Sequence, residues 1–515
     1  MNSDNKKNSI VIIGAGTVGL MLAHELILKG EPIIILEAGN ESSIDFFDNT
    51  EFKNIGLNHA GVKYGRAKGI GGTSNLWGGQ FTEFIQNDIE NSHCYNQPKW
   101  PITWNEINNY YSRVYQKMGF TSSIPVPSKT IAKHDSNKTY LEIFYSRWLK
   151  QPNFKFHYLE ALKKSELVTF YTNVVVTNLH FNNKKCTSVQ YITNEQTKTI
   201  ENCKEVVLAL GTIEIIRLLL HSATNVNCPY TTNQNIGKYF QDHLNFKVGE
   251  IQKASKPFLN QFSNFFENGE KLQPKLRMNA DLDATNNYVG ICGFFSYESK
   301  VSEHLYNFKQ FAKSLRGQSK QKLTLKELGK LFVKLVPALP QISMLIFNYL
   351  KNNRIYVPFN SKVKVIINTQ QISIFESNVS ISKTDFDNKK LPKVVVDWQI
   401  DGKEFDKIVE FCTLLQKYLK ENNSGNLVLD DWFVKGQQEN NKNWLSQISD
   451  VYHQAGGAIM SNSIENGVVD ENLKVHNTVN LYVCGSSVMP TSSYGNITLT
   501  ALALTLRLSD YLTKK

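Results

Sequence analysis

Three glycines and one acid near the N-terminus have the types and the spacing needed to hold a dinucleotide. Gly14, Gly16 and Gly19 form the pattern G-x-G-x-x-G, and Glu37 follows about twenty residues later. The first glycine permits a tight turn, the second lets the backbone approach a pyrophosphate, and the third lets a helix pack on a strand. The acid can bind a pair of ribose hydroxyls, which favours FAD or NAD over NADP.

These residues can bind a ligand only if strands and a helix hold them in place. The apolar run Ser9–Ile13 predicts a buried parallel strand, and Pro32–Leu36 predicts its neighbour. Between them, Thr17–Lys29 predicts a helix whose unpaired N-terminal N–H groups face the phosphates. The order of strand, glycine turn and helix returns at Lys204–Ser222, with Gly211 at the turn.

Length, net charge and cysteine content narrow the classes of protein to which this chain can belong. The 515 residues predict two or three domain-sized cores, and we attribute the net charge of +11 to lysines spread over a solvated surface. No nucleic-acid-binding signature is present, so a nucleic-acid partner is not expected. Seven scattered cysteines without a C-x-x-C pair argue against a disulfide framework or a metal site and favour a reducing, cytoplasmic compartment. We expect neither a signal peptide nor a membrane-spanning helix.

A second glycine-rich stretch predicts a loop that lies against a flat ligand. Gly65–Gln80 reads GRAKGIGGTSNLWGGQ; its glycines let backbone N–H groups face a ligand, and Trp77 supplies an aromatic wall. This loop resembles the flavin loop of the glucose–methanol–choline (GMC) oxidoreductases, and Trp100–Tyr111 resembles a segment of the sugar-oxidising members. Leu76 stands where several members carry a histidine bonded covalently to the flavin, so the resemblance predicts dissociable FAD.

The chain is most similar to the same family in Asp450–Leu512. There, Asn480–Val483 predicts a strand and Thr498–Leu512 predicts the closing helix. The resemblance implies that FAD is held by Gly14, Gly16, Gly19, Glu37, Ala38, Gly71, Gly72, Thr73, Ser74, Asn75, Trp77, Gly78, Val176, Ala209, Gly211, Gly485, Ser486, Ile497 and Thr498.

The resemblance also implies a catalytic pair, His453 and Asn496. A neutral imidazole with an ordinary pKa can accept the hydroxyl proton of an alcohol. An amide can donate a hydrogen bond to the developing alkoxide, and the flavin takes the hydride. Asp242 and His243 lie in the segment NIGKYFQDH, for which the resemblance implies a structural role.

The predicted fold class is α/β, with a doubly wound, Rossmann-like FAD domain interleaved with an α+β substrate domain that contains an antiparallel sheet. The predicted segments alternate between the two domains. They are 1–90, 161–245 and 446–515 for the FAD domain, and 91–160 and 246–445 for the substrate part, with a basic helical insert at 301–354.

Three shorter stretches carry separate expectations within this plan. Val394–Trp398 resembles the central sheet strand of the family's substrate domain. Asp401–Glu421 predicts a long amphipathic helix, and Tyr140–Lys150 predicts a helical or mixed connector. The insert could contact a membrane surface or a partner, but helices packed over the substrate cavity are the commoner explanation.

The expected activity is oxidation of an alcohol on a sugar or polyol, with oxygen, a quinone or a protein as electron acceptor. An NAD-dependent dehydrogenase would explain the N-terminal glycines but not the flavin-like segment at Gly485. A non-redox enzyme or an inactive flavin-binding protein stays open. The non-redox alternative follows from lyases that resemble this family. The inactive alternative rests on Gly456–Met460, which lacks the usual threonine and arginine of the family pattern; Ile497 also replaces a usual proline.

Overall fold

The computed structural model describes residues 8–48, 51–90, 94–120, 140–279, 287–299, 339–439 and 442–514. The strands in these ranges are β1 (Ile10–Ile13), β2 (Ile33–Leu36), β3 (Asp45–Phe46), β4 (Phe52–Asn54), β5 (Ala67–Lys68), β6 (Gln80–Phe81), β7 (Leu141–Trp148), β8 (Val168–Tyr171), β9 (Val175–Asn182), β10 (Lys185–Thr193), β11 (Gln196–Glu201), β12 (Glu205–Leu208), β13 (Leu244–Gln252), β14 (Phe265–Glu267), β15 (Glu270–Met278), β16 (Ile291–Glu298), β17 (Lys362–Thr369), β18 (Asn378–Phe386), β19 (Pro392–Asp397), β20 (Asn426–Leu429) and β21 (Leu481–Val483).

The α-helices of the same ranges connect or cover these strands. They are α1 (Thr17–Ile27), α2 (Gly61–Tyr64), α3 (Gln86–Glu90), α4 (Trp104–Lys117), α5 (Phe154–Lys164), α6 (Thr212–Ser222), α7 (Lys256–Phe262), α8 (Leu339–Asn352), α9 (Glu404–Glu421), α10 (Asp431–Glu439) and α11 (Thr498–Leu512). None of the described helices is long and apolar enough to cross a membrane.

A five-stranded parallel sheet collects strands from three distant parts of the chain. Its order is β21-β12-β1-β2-β8, and each neighbouring pair is parallel. β1 and β2 are apolar and fully buried, as parallel strands covered on both faces must be. α1, α5 and α11 pack together beside this sheet. The predicted doubly wound domain is therefore confirmed.

The glycine turn between β1 and α1 is set by close backbone contacts. α1 begins at the predicted Thr17 and ends two residues before the predicted end. A Cβ on Gly19 would lie 2.0 Å from the carbonyl oxygen of Gly14, so α1 can pack this closely only without a side chain there. This contact is the one that the third glycine of the pattern predicts.

An eight-stranded antiparallel sheet forms the second layer. Its order is β20-β13-β17-β16-β15-β7-β6, with β14 paired to β15. β7 corrects the expectation of a helical or mixed connector at Tyr140–Lys150, because Ile143, Phe144 and Tyr145 favour a strand and pair along β15. The expectation for Val394–Trp398 is also wrong: β19 pairs with β18 and β4 in a separate three-stranded sheet.

Two other expectations fall partly outside the described residues. The insert at 301–354 is described only from residue 339 onward, where α8 forms. The long amphipathic helix is present as α9, which begins at Glu404 instead of Asp401 and ends at the predicted Glu421. The domain boundaries stay predictions.

A buried ion pair joins two strands near the β6 edge of the eight-stranded sheet. Arg147 of β7 donates to Glu270 of β15 through Nε at 2.9 Å and Nη2 at 2.6 Å. The Arg147 guanidinium also contacts the rings of Tyr115 and Phe120, 4.3 and 4.5 Å from their centroids. Both charged side chains are essentially inaccessible to water.

Replacing Glu270 with Gln should destabilise the fold by about 3 kcal/mol, because it leaves a buried guanidinium without its countercharge. Thermal unfolding of the cofactor-free protein measures the effect. Glu160→Gln is the matched control, since Glu160 pairs with Lys164 on an exposed helix surface and should leave the melting temperature near that of wild type. Equal melting temperatures for the two variants would contradict the assigned role of the buried pair.

Candidate active site

A cavity of about 570 Å³ opens at the carboxyl ends of the parallel strands. Its walls include Ile13 at the end of β1, Leu36 at the end of β2, Ala209 after β12 and Gly485 after β21. Open α/β sheets bind their ligands at this edge, where strand ends and helix N-termini leave backbone groups free.

The glycine turn leaves room for a phosphate-bearing ligand. Gly14 has a φ of +105°, and a Cβ there would lie 2.5 Å from the carbonyl oxygen of Ala209. Gly16 differs, because a Cβ on it would have its nearest neighbour 4.0 Å away, at the Cα atom of Gly72. The space in front of Gly16 therefore belongs to the cavity, as expected of a backbone that closely approaches a dinucleotide.

Glu37 joins the glycine turn to the loop that follows residue 65. Its carboxylate accepts hydrogen bonds from the N–H groups of Ala15 at 2.8 Å, Gly39 at 2.9 Å and Gly69 at 2.9 Å. Burial raises the pKa of Glu37, and these backbone donors oppose the rise. Two carboxylate oxygens can accept more than three bonds, so a ribose hydroxyl can still bind here.

The structure separates the predicted cofactor residues into two groups. The first group lines the cavity: Gly14, Gly16, Glu37, Ala38, Gly72, Thr73, Val176, Ala209, Gly211, Gly485, Ser486, Ile497 and Thr498. The second group does not line it: Gly19, Gly71, Ser74, Asn75, Trp77 and Gly78.

Residues of the second group shape the flavin loop from within. Ser74 Oγ donates to the carbonyl of Gly71 at 2.6 Å, and Asn75 Nδ2 donates to the carbonyl of Gly72 at 2.8 Å. Trp77 Nε1 donates to the carbonyl of Pro152 at 2.8 Å, so the indole fastens the loop to the chain ahead of α5. These side chains give the loop its conformation without facing the cavity.

His453 stands at the cavity wall with its ring nitrogens fixed by a second histidine. Nδ1 of His453 lies 3.0 Å from Nδ1 of His243, and Nε2 of His243 lies 3.1 Å from the carbonyl oxygen of Ser492. A carbonyl only accepts, so His243 carries its proton on Nε2 and offers a lone pair at Nδ1. His453 must then donate from Nδ1, which leaves the lone pair of the base on Nε2.

Asn496, the predicted partner of His453, lies beside the other ring nitrogen of this histidine. Asn496 Nδ2 lies 3.2 Å from His453 Nε2, and the amide oxygen of Asn496 accepts from Thr82 Oγ1 at 3.0 Å. Because Thr82 donates to Asn496, its oxygen accepts from Ser146 Oγ at 2.8 Å. Asn496 does not itself line the cavity, but its NH₂ group is held toward the lone pair of His453.

The pKa of His453 differs from the sequence expectation of an ordinary value. Burial, the adjacent His243 and the Lys275 ammonium lower the pKa of His453 to about 3, against the opposing charge of Asp242. Burial likewise lowers the pKa of His243. His453 is therefore a neutral base over the whole physiological range.

Asp242 holds the backbone of this histidine pair. Its Oδ1 accepts from the N–H groups of His243 at 2.7 Å and His453 at 3.0 Å. Its Oδ2 lies 3.1 Å from Nε2 of His59, whose Nδ1 lies 3.6 Å from Asp450. Burial tends to raise the pKa of Asp242, but the bond from His59 and the nearby imidazoles lower it overall. The structural role expected for Asp242 and His243 thus includes direct contact with His453.

Asp242, His59 and Asp450 have the residue types of a metal site, with candidate ligand atoms within 4.8 Å of one another. The two carboxylates contact opposite nitrogens of the His59 ring, however, so the ring can join only one of them at a single ion. We therefore interpret the three residues as an ion-pair bridge. It connects the turn before α2 to the segment that carries His453.

One departure from the family pattern has a steric cause. Gly456 and Gly457 have φ values of +73° and +81°. A Cβ on Gly456 would lie 1.9 Å from the carbonyl oxygen of Tyr239, and one on Gly457 would lie 2.1 Å from Ile216. In this chain the turn after His453 has no room for the usual threonine.

Several residues of the site were missed by sequence reasoning. Thr82 and Ser146 follow no chemical motif, and only the pairing of β7 with its neighbours brings them to Asn496. Lys275 did carry a signal, because a lysine between apolar residues of a strand is unusual in a buried sheet.

Comparisons with known proteins agree with this geometry. A family model described as GMC oxidoreductase matches residues 376–505. The GMC oxidoreductase family protein Mala s 12 of Malassezia sympodialis is 22% identical over 591 residues, covering 95% of this chain and 89% of that protein. The chain is therefore similar to the GMC oxidoreductases, through the family model in its C-terminal part and at low identity over nearly its whole length. This similarity supports an FAD-dependent oxidoreductase that acts on CH–OH groups.

Two further comparisons differ in how much of the chain they cover. The large subunit of fructose dehydrogenase from Gluconobacter japonicus is 25% identical over 154 residues, which cover 23% of this chain and only 28% of that subunit. The crystal structure of pyridoxine 4-oxidase from Mesorbium loti has a TM-score of 0.62 at 15% identity, covering 99% of this chain and all of the other. This likeness shows the shared fold.

Gly16→Val should abolish FAD retention while leaving the melting temperature of the cofactor-free protein near wild type, because the new side chain occupies the cavity and its Cβ has no protein atom nearer than 4.0 Å. Gly19→Ala is the comparison: it should lower that melting temperature as well, since its Cβ strikes the Gly14 carbonyl. Flavin absorbance after gel filtration and thermal unfolding provide the measurements. A Gly16→Val protein that elutes with full flavin absorbance would show that the diphosphate lies elsewhere.

Lys275→Met should raise the pKa of His453, because it removes a nearby positive charge that lowers it. Protonation of His453 blocks its base function, so the acid limb of the pH profile for flavin reduction should move to higher pH in the variant. Stopped-flow reduction across the acid range measures the limb. Lys362→Met changes an exposed lysine on β17 and should leave the profile unchanged. Identical acid limbs for Lys275→Met and wild type would exclude an electrostatic role for Lys275.

Proposed function

We propose that this enzyme oxidises an alcohol group of a sugar or polyol, with His453 as the general base and Asn496 as the hydrogen-bond donor to the substrate oxygen. The observation that carries the proposal is the directed set of hydrogen bonds that leaves the lone pair of His453 on Nε2, beside Asn496 Nδ2. Bound FAD supplies the hydride acceptor.

His453 and Asn496 have different roles at the same substrate oxygen. Nε2 of His453 accepts the hydroxyl proton, and the imidazolium that forms is stabilised because Nδ1 donates to His243. Asn496 Nδ2 turns from His453 toward the same oxygen and stabilises its developing negative charge. Thr82 holds the Asn496 amide oxygen, which prevents the amide from presenting that oxygen to the alkoxide.

The substrate class rests on the similarity of part of this chain to the fructose dehydrogenase large subunit and on its WPITWNEINNYY segment. Dissociable FAD rests on Leu76, an aliphatic and partly exposed side chain that cannot form a covalent bond to a flavin. The intact arrangement around His453 and Asn496 favours redox activity over the non-redox or inactive alternatives.

The test is anaerobic mixing of the flavinated protein with a panel of sugars and polyols, followed by absorbance of the flavin. One panel member should bleach the flavin of the wild type. His453→Ala should retain FAD and slow that bleaching by about 10² to 10⁴-fold, because the proton loses its acceptor. Asn496→Leu should slow it by about 10² to 10³-fold.

His157→Ala, which changes a histidine on the surface of α5, is the matched control and should bleach at the wild-type rate. Flavin released by acid precipitation would agree with dissociable FAD. A wild-type protein that no alcohol bleaches would favour the non-redox alternative, and unchanged reduction in His453→Ala would remove His453 from the reaction.

A further inference from the structure

Lys275 of β15 is a buried cation without an acidic partner. The residue is only 4% exposed, and no carboxylate in the described part of the chain forms an ion pair with it. Two arginines of the same sheet differ, because Arg147 pairs with Glu270 and Arg277 pairs with Glu142. An uncompensated buried charge destabilises a fold, so the packing of the sheet does not explain why a lysine stands at this position.

The ammonium of Lys275 has neutral surroundings in the described structure. Its Nζ donates to Oε1 of Gln80 over 3.5 Å, and Gln80 Nε2 donates to Oε1 of Gln273 at 2.6 Å. The ring centroid of Phe294 lies 5.2 Å from Nζ. An ammonium has three N–H donors, and the bond to Gln80 is a long one. Lys275, Gln80 and Gln273, here called the Lys275 cluster, thus keep donor capacity for an anion.

The register of the sheet places the Lys275 cluster on the face that carries the active site. Gln273 lies directly opposite Ser146 in the pairing of β7 with β15, and opposite residues share a face of the sheet. Ser146 Oγ donates to Thr82, which holds the amide of Asn496. Lys275 is two residues from Gln273 and therefore faces the same side. The ammonium and the proposed reacting groups thus lie on one side of the sheet.

A ring contact and an electrostatic effect give the same placement. Phe144 lies opposite Lys275 in the sheet, and its ring packs edge-on against Tyr494, with centroids 5.6 Å apart. Tyr494 belongs to the segment that leads into α11 and the proposed hydrogen-bond donor. The positive charge of Lys275 also contributes to the low pKa of His453. A charge that acts on His453 also acts on a substrate that His453 deprotonates.

We propose that Lys275 binds a carboxylate of the substrate, so that the enzyme oxidises a hydroxyl group of a sugar acid rather than of a neutral sugar or polyol. A carboxylate supplies the one negative charge that the Lys275 cluster lacks, and the amides of Gln80 and Gln273 can bind neighbouring hydroxyls. A phosphate ester carries close to two negative charges, which a single ammonium does not balance.

This inference rests on the proposed function, because it names the substrate class of the same reaction. One carbon loses a hydride to FAD, and its hydroxyl loses a proton to His453, so that a carbonyl forms while the carboxylate is unchanged. Burial lowers the pKa of Lys275, and a bound carboxylate opposes that effect by favouring the charged ammonium.

The experiment compares two pairs of ligands that differ by one carboxylate: D-gluconate with D-glucitol, and D-glycerate with glycerol. Calorimetry measures their binding to the oxidised, flavinated protein, and anaerobic bleaching measures flavin reduction. At least one acid should bind wild type about tenfold or more tightly than its neutral partner, because a hydrogen bond to a charged group contributes about 1.5 to 3 kcal/mol.

Lys275→Met should remove this preference for the acid, and Lys275→Arg should keep part of it, because arginine retains the charge. Lys362→Met, which changes an exposed lysine on β17, is the matched control and should keep the whole preference. Retained flavin absorbance shows that a variant is folded. Replacing an unpaired buried charge with an apolar side chain of similar length should not lower the melting temperature. A lower melting temperature for Lys275→Met with an intact preference for the acid would overturn the proposal.

The two measurements separate this inference from the proposed function. An acid that binds through Lys275 without bleaching the flavin would contradict the oxidation and support the carboxylate site. Bleaching by acids and polyols alike, with equal affinities in wild type and Lys275→Met, would support the oxidation and overturn the carboxylate site. The proposal is also overturned if neither acid binds wild type, or if D-glucitol 6-phosphate binds more tightly than both acids.

Discussion

The arrangement around His453 depends on a chain of hydrogen bonds that starts at the backbone carbonyl of Ser492 and fixes which nitrogen of each histidine carries the proton. The carbonyl of Ser492 can only accept, so it determines which nitrogen of His243 carries the proton, and His243 in turn determines the tautomer of His453. From the other side, Ser146 and Thr82 orient the amide of Asn496. These two chains of hydrogen bonds meet at His453 Nε2, where the lone pair faces the N–H donor of Asn496. In the proposed reaction, these two groups are the acceptor and the donor for the substrate hydroxyl.

The buried surroundings of this pair give His453 its chemical character. In water an imidazole would be protonated in mildly acidic solution, but burial and neighbouring charge keep His453 neutral far below its ordinary pKa. Asp242 is a nearby negative charge, but its carboxylate oxygens accept hydrogen bonds from two backbone N–H groups and contact His59. The protein thus uses an acid to position the base, and leaves the base itself uncharged.

Sequence reasoning found the parts of this enzyme that have local signatures. The glycines around Gly14, the parallel strands and α11 follow from spacing and apolar pattern, and His453 and Asn496 were assigned from the family resemblance. It failed where long-range pairing decides the outcome. The residues of β7 were expected to form a helical or mixed connector, but their pairing with β15 makes them a strand and brings Ser146 to the site. The pKa of His453 could not be foreseen either, since it depends on groups from three distant segments.

The strands of the parallel sheet come from distant parts of the chain, and this affects the state of the protein during its synthesis. β12 pairs with β1 on one side and with β21 on the other, and β21 belongs to the end of the chain. During translation β12 therefore has an open edge until Leu481–Val483 has left the ribosome. An unpaired strand edge is a template for association with other chains. The nascent protein spends most of its synthesis in that state, which makes protection by a chaperone more important for this enzyme than for one whose sheet closes early.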